Sequence, residues 1–159
     1  MPNQPIQVDA YVKLIRTAEA LHAEVSRGLA QDKVTASQFS AMKALRYHGT
    51  MAQKDVATFM LKTAGNVTLV LDNLERQGFI SRERQQDDRR VVNVTLTELG
   101  KLTFDRLYPE HIQRILTAMS GLDAHSAEQI IVLLQSLHTS INDPQCAPPE
   151  QELGRTSAL

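Results

Sequence analysis

Several things are scarce or missing in this chain of 159 residues, and each absence narrows what it can be. There is a single cysteine, Cys146, so no internal disulfide can form, and such usage fits a reducing compartment. No apolar run approaches the roughly 20 residues of a membrane-spanning helix, and the first residues lack a basic stretch followed by an apolar core. A cytoplasmic protein with no membrane partner is expected. Global basicity is lacking too, because the net charge is −1. There is no glycine-rich phosphate loop, no paired nucleophile and base, and no metal-ligand spacing. Those gaps argue against an enzyme and imply no cofactor. His22, His48, His111, His125 and His138 never fall three or four apart, so no helix offers two ligands to one metal; only a site assembled across two chains is left open. No internal repeat is visible.

What is present is concentrated between Lys62 and Gly100. A segment of helical spacing runs to Gly78 and is followed by a hairpin from Phe79 to Thr97. Between Arg76 and Arg90 the arginines Arg76, Arg82, Arg84, Arg89 and Arg90 face only Glu83, Asp87 and Asp88. DNA affinity depends on local neutralisation of phosphate, so a near-neutral chain with one basic hairpin is compatible with it. Taken alone, the hairpin reads equally well as a solvated surface element.

The rest of the chain is mostly helical in pattern, with a length suited to one domain or one domain plus an extension. Tyr11, Leu14, Ile15, Ala18, Leu21, Val25 and Leu29 recur at helical spacing from Ile6 to about Ala30. Thr35 with Gln38 forms a capping box that opens a second helix carrying Phe39, Met42 and Leu45 inward, and His48-Gly49 stops it. Thr50 with Gln53 reads as a second capping box, opening a short helix with Val56, Ala57 and Met60. The next helix ends at Gly78, the favoured left-handed stop. Val92, Val94 and Leu96 then alternate with Val91, Asn93 and Thr95, which predicts a strand. Thr97 is a natural N-cap for a helix to about Met119, with an apolar stripe of Leu99, Leu102, Leu107, Ile112, Ile115 and Met119. A last helix, about Asp123 to Asn142, carries Ile130, Leu133, Leu134, Leu137 and Ile141. The polar, proline-containing tail from Asp143 is expected to be disordered.

These patterns predict a mainly α protein with a small β-hairpin wing: a winged helix-turn-helix at 32–97, flanked by dimerisation helices at 1–31 and 98–142, with the tail at 143–159. The long apolar stripes at both ends have little partner core in one chain. Interleaving with a second copy through Tyr11, Leu14, Ile15, Ile130, Leu133, Leu134, Leu137 and Ile141 accounts for them, and a helix-turn-helix reading a two-fold operator also calls for a dimer. The alternative is that they pack on their own domain.

In the helix before Gly78, Val67, Val70, Leu71 and Leu74 form the inward face. The opposite face centres on Gly65, Leu69, Asp72 and Arg76, flanked by Asn66, Thr68 and Asn73. It is small or hydrogen-bonding toward its N-terminus, where a recognition helix meets base edges. Gly65 lets backbone approach DNA; Asn66 suits an adenine edge; Thr68 suits a base or a phosphate. Leu69 reads equally as a contact to a thymine methyl or as a side chain wrapped round to the core. Lys62, Thr63 and the helix N-terminus are phosphate groups in this reading, and Gln53 holds the DNA backbone. On the hairpin, Asp88 stands two residues from Arg90, where a carboxylate can fix a guanidinium for entry into a narrow minor groove, leaving Arg84 and Arg89 to phosphates. Alone, Asp87-Asp88-Arg89-Arg90 reads as an ordinary charged turn. A winged helix that docks on protein, with no direct DNA target, is the alternative to a DNA-binding regulator.

Asp88-Arg-Arg90-Val-Val-Asn-Val94-Thr-Leu96-Thr97-Glu-Leu-Gly100, preceded by Val67-Thr68, Leu74-Glu75 and Gly78, resembles the multiple-antibiotic-resistance regulator (MarR) family of winged-helix repressors over residues of about 10 to 142. The resemblance implies a homodimer of triangular outline, built on the first and the last two helices, that binds a pseudo-palindromic double-stranded operator through the fourth helix and the wing. By motif position, Arg90 matches the arginine that enters the minor groove and Asp88 the acidic residue that steadies it. The family often has a longer polar or basic residue in place of Leu69. Many members release DNA on binding a small aromatic or phenolic effector. Others sense oxidants through a cysteine in the first helix, which this chain lacks.

Overall fold

The structure is a computed structural model and describes residues 4–60 and 63–142. The chain divides after Ala118 into two compact units. In the first unit the order is α1 (Ile6–Ala30), α2 (Ala36–His48), β1 (Met51–Ala52), α3 (Gln53–Phe59), α4 (Ala64–Arg76), β2 (Ile80–Arg84), β3 (Val92–Leu96) and α5 (Glu98–Ala118); the second holds α6 (Ala124–Asn142). The helix boundaries agree with the periodicity to within two residues. Among the described residues no helix is long and apolar enough to cross a membrane.

The core sits where α2, α4 and the sheet meet α5. Phe39, Met42, Leu45, Val56, Val67, Leu71, Leu74, Ile80, Val94, Leu96, Phe104 and Leu107 are all buried. The α2 capping box is made in full: Gln38 N–H donates to Thr35 Oγ1 at 3.2 Å and Thr35 N–H to Gln38 Oε1 at 2.7 Å. Gly49 and Gly78 stop α2 and α4 with φ of 75° and 77°, the left-handed region that favours glycine. Thr97 links two elements. Its hydroxyl donates to Gly78 O at 2.6 Å and accepts from Gly100 N–H at 3.0 Å, so the start of α5 is pinned to the end of α4. Gly100 has a different reason to be glycine: a Cβ there would lie 2.0 Å from Phe79 O.

Three expectations need correction. First, the sheet has three strands in the order β1-β3-β2, all antiparallel, so the hairpin is joined by a strand too short to show a period. Second, the Thr50–Gln53 capping box is not made. Met51 and Ala52 are claimed by pairing with Val94 and Asn93, which carries Thr50 to the sheet, where its hydroxyl bonds Thr95 Oγ1 at 2.8 Å. Ala52 is the N-cap of α3 and makes no side-chain cap. Third, Leu99 and Leu102 are exposed on α5, and the buried residues are Gly100, Phe104 and Leu107. Leu107 keeps its expected inward place, while at the start of the helix Gly100 meets Phe79 in place of Leu99, and Phe104 stacks on Phe39 with ring centroids 5.0 Å apart.

Candidate nucleic-acid interface

One face of the first unit gathers α4, the start of α3 and the hairpin tip. The hydrophobic side of α4 is spent on the core: Val67, Leu71 and Leu74 are fully buried and Val70 partly so. That orients Gly65, Asn66, Leu69, Asp72 and Arg76 outward, with Thr68 and Asn73 half-buried on the flanks. Leu69 is 65% exposed, which removes the option that it wraps to the core. Thr63 is the exposed N-cap residue of α4, and it makes no side-chain cap bond. Lys62 and Cys146 lie outside the described residues, as does the tail from Asp143. Gln53 does join the site. Its Nε2 donates to Thr68 Oγ1 at 2.9 Å, tying α3 to the groove helix.

The wing loop is organised by its own backbone. Gln85 N–H donates to Val91 O at 3.0 Å, and Gln85 Nε2 donates to Asn93 Oδ1 at 3.1 Å. Asp88 acts differently from the sequence expectation. Its carboxylate accepts the backbone N–H of Arg90 at 2.9 Å, and its carbonyl accepts Val91 N–H at 2.9 Å. It shapes the turn as an Asx motif, and among the described residues it makes no side-chain bond to the Arg90 guanidinium. A short polar side chain two residues upstream reaches the nearest backbone donor before it can reach the end of a long arginine.

The arginines of this region divide into two sets. Arg82, on β2, is an internal fastener. Its Nε and Nη2 donate to Glu75 Oε2 at 3.0 and 2.5 Å, and Nη2 pairs with Asp72 Oδ1 at 2.6 Å. The Arg82 hydrogen bond holds the Glu75 carboxyl below its ordinary value, and Glu75 raises that of Arg82. Arg84, Arg89 and Arg90 are exposed, and among the described residues no ion pair engages them; Arg84 Nη1 makes one bond, to Arg89 O at 3.4 Å. Arg90 lines a groove of about 230 Å³ with Gln53 and Lys54, so the wing cation and the start of α3 flank one opening. Lys54 was missed in the sequence because a lone lysine at a helix start carries no periodic signal. The Asp72/Glu75 clamp was partly legible: two acids three apart share a helix face, and Arg82 follows on the next strand.

The residues expected to dimerise are exposed within each unit: Tyr11, Leu14 and Ile15 on α1, and Ile130, Leu133, Leu134, Leu137 and Ile141 on α6. In the first unit α1 and α5 also border a cleft of about 560 Å³ lined by Glu24, Glu110, Gln113, Arg114, Thr117 and Ala118. Nearby, the His111 ring lies tilted against Phe39 with centroids 4.4 Å apart, its buried Nδ1 has no hydrogen-bond partner among the described residues, and burial, then Lys43 and Arg114, push its pKa below the ordinary value.

A family model for the MarR family matches residues 34–92. The Bacillus subtilis HTH-type transcriptional regulator YfiV is 36% identical over 133 residues, covering 84% of this chain and 81% of that protein. YkoM of the same organism, also an HTH-type transcriptional regulator, is 38% identical over 99 residues, which span 62% of this chain and 64% of YkoM. Among solved structures, Bordetella bronchiseptica BpsR, whose DNA binding is regulated by 6-hydroxynicotinic acid, superimposes with a TM-score of 0.74 at 26% identity, covering 83% of this chain and 98% of that one.

Proposed function

This chain belongs to the MarR family of DNA-binding HTH-type transcriptional regulators, and on that premise we propose that it is a homodimeric cytoplasmic repressor of a pseudo-palindromic operator, released by a small ligand. The observation that carries the reading is the partition of arginines: Arg82 is neutralised inside the protein, while Arg84, Arg89 and Arg90 stay exposed on the wing beside the polar face of α4. A lobe at 32–97 then meets DNA. Asn66, Thr68, Leu69 and the backbone at Gly65 face the major groove. Thr63, Gln53, Lys54, Arg84 and Arg89 serve phosphates, with Lys62 beside them in sequence, and Arg90 enters the minor groove. Asp88 contributes by setting the turn that presents Arg90. The helices at 1–31 and 98–142 form the dimer base, where a second copy covers the exposed apolar residues of α1 and α6. The role is regulatory rather than enzymatic.

The effector reading is supported by the cleft beside α1 and α5, whose volume falls in the range of small-molecule sites. BpsR responds to a hydroxylated aromatic acid, and Arg114 with Gln113 and Thr117 suits a single ring bearing polar substituents.

The test is to select duplexes from a random pool and measure affinity across a salt series. Binding that falls steeply with salt, with a footprint over two half-sites about one helical turn apart, is expected. A flat salt response, or a footprint on one half-site only, refutes the dimeric DNA reading. Screening hydroxylated aromatics for release of the bound duplex then tests the effector.

A further inference from the structure

We infer that Gly65 and Leu69 together form a reader of the pyrimidine 5-methyl group, which fixes a thymine at one position of each operator half-site. This rests on the reading of α4 as the groove helix. The two residues are four apart on the outward face of α4, so they are neighbours one turn from each other. Helical side chains lean toward the N-terminus, so the Leu69 side chain is directed over the turn that holds Gly65. Apart from its two chain neighbours and the backbone of its own helix, a Cβ built on Gly65 meets no atom within 4 Å among the described residues, and the Leu69 side chain leaves that space open. What remains is a notch with an apolar wall and a bare backbone floor.

Carbons pack best about 3.5–4.0 Å apart, and the open space over Gly65 lets a methyl group approach the Leu69 side chain that closely. The rim has the opposite character. Asn66 is exposed on one side, and Thr68 is held by Gln53 on the other. An apolar notch within a polar face matches one feature of the major groove, the C5-methyl group of thymine, the only apolar group that an unmodified base pair presents there. A protein-docking surface would extend the apolar area to the neighbours of Leu69, and Gly65, Asn66, Asp72 and Asn73 do not.

The experiment uses the full chain and a selected operator duplex at fixed salt, with Kd measured by fluorescence anisotropy. Each thymine is replaced in turn by deoxyuridine, which removes the methyl and leaves every hydrogen-bonding group in place. At one position per half-site the parent should weaken about fourfold, the equivalent of the ~0.8 kcal/mol of one buried methyl, and about fifteenfold when both half-sites are changed. Leu69→Ala should bind the thymine duplex more weakly and give the same Kd for both duplexes. Gly65→Ala, which fills the notch where there is open space and so leaves the fold intact, should lose the same discrimination. If the parent binds duplex in a salt-dependent way and no deoxyuridine costs more than twofold, the notch does not read a methyl. An unchanged deoxyuridine penalty in Leu69→Ala overturns it equally. Failure of the parent to bind any duplex is a different result, which overturns the groove-helix reading and the inference with it.

Discussion

Replacing Arg82 by glutamine tests whether the recognition helix and the wing are held as one body. Arg82 is 21% exposed at its side chain and makes charge-assisted contacts to two carboxylates on α4. Hydrogen bonds to charged groups contribute about 1.5–3 kcal/mol when both partners are shielded. Here Asp72 and Glu75 are 50% and 40% exposed, so water recovers much of what they lose. A destabilisation of about 1–2 kcal/mol is therefore expected, equivalent to roughly 2–8 °C in melting temperature. The pair of Arg46 with Asp105 has good geometry at 2.9 Å, but its arginine is 43% exposed and meets one carboxylate, so Arg46→Gln should cost less than Arg82→Gln. The pH dependence sharpens the test. Arg82 depresses the Glu75 pKa below 4.5, so this stabilisation is present above that value and fades as pH falls through the depressed one. The gap between parent and Arg82→Gln, measured by thermal melts at matched protein concentration, should be full at pH 7 and shrink below about pH 4.5. DNA affinity should drop as well, because the angle between α4 and the hairpin is no longer fixed. Equal melting temperatures at pH 7, or a gap that stays constant on acidification, would refute the clamp.

Three further outcomes are expected. Arg90→Ala should weaken operator binding by about 1–3 kcal/mol and lower the slope of log Kd against log salt by about one, which titrations at several salt concentrations will read. Gly100→Ala should destabilise the fold by about 2–3 kcal/mol in denaturant melts, because its Cβ would fall 2.0 Å from the Phe79 carbonyl oxygen, whereas Gly65→Ala, in open space, should cost nothing. Burial, helped by Lys43 and Arg114, disfavours the charged form of His111 in the folded state. Because its folded pKa lies below 6.5, stability should fall as pH drops below that value. His111→Leu should flatten the parent's melting profile between about pH 6.5 and 5, above the range in which carboxylates titrate.

Much of the fold was legible because each helix carries its own local signals. The Thr35–Gln38 box, Gly49, Gly78 and Thr97 mark boundaries by chemistry confined to four residues, and the structure makes each of those contacts. Errors arose where a distant partner decides. Thr50 has the right residue three positions on for a cap, yet Met51 and Ala52 are drawn into a sheet by β3, some 40 residues away in sequence. Leu99 and Leu102 continue an apolar pattern, yet the face of α5 is chosen by the close approach of Gly100 to Phe79. On the site side, the outward residues of α4 follow from the inward ones by helical geometry alone. The partner of Asp88 did not, because carboxylate and guanidinium are flexible and the nearer backbone donor wins.

The same competition explains why charge counting cannot locate a nucleic-acid surface in a protein of net charge −1. Arg82 and Arg84 are two apart on one strand, so their side chains leave the same face, and nothing in their immediate neighbours distinguishes them. Their roles separate because α4 presents Asp72 and Glu75 to the position in the middle of β2, while Arg84 at its end pairs with neither. The internal pair fixes where the wing stands, and the arginines left over can meet phosphate without giving up an existing partner. A wing whose cations were all paired would have to break those pairs to bind DNA, offsetting the counterion-release gain. Transferring the clamp one step outward, in Arg82→Gln with Arg84 intact, therefore should not create a new phosphate contact. It should leave Asp72 and Glu75 as uncompensated negative charge beside the operator, and returning the cluster to the parent's net charge with Asp72→Asn in the same chain should recover part of the lost affinity. If the double variant binds no better than Arg82→Gln alone, the acids contribute only through the geometry of the clamp and not through their charge.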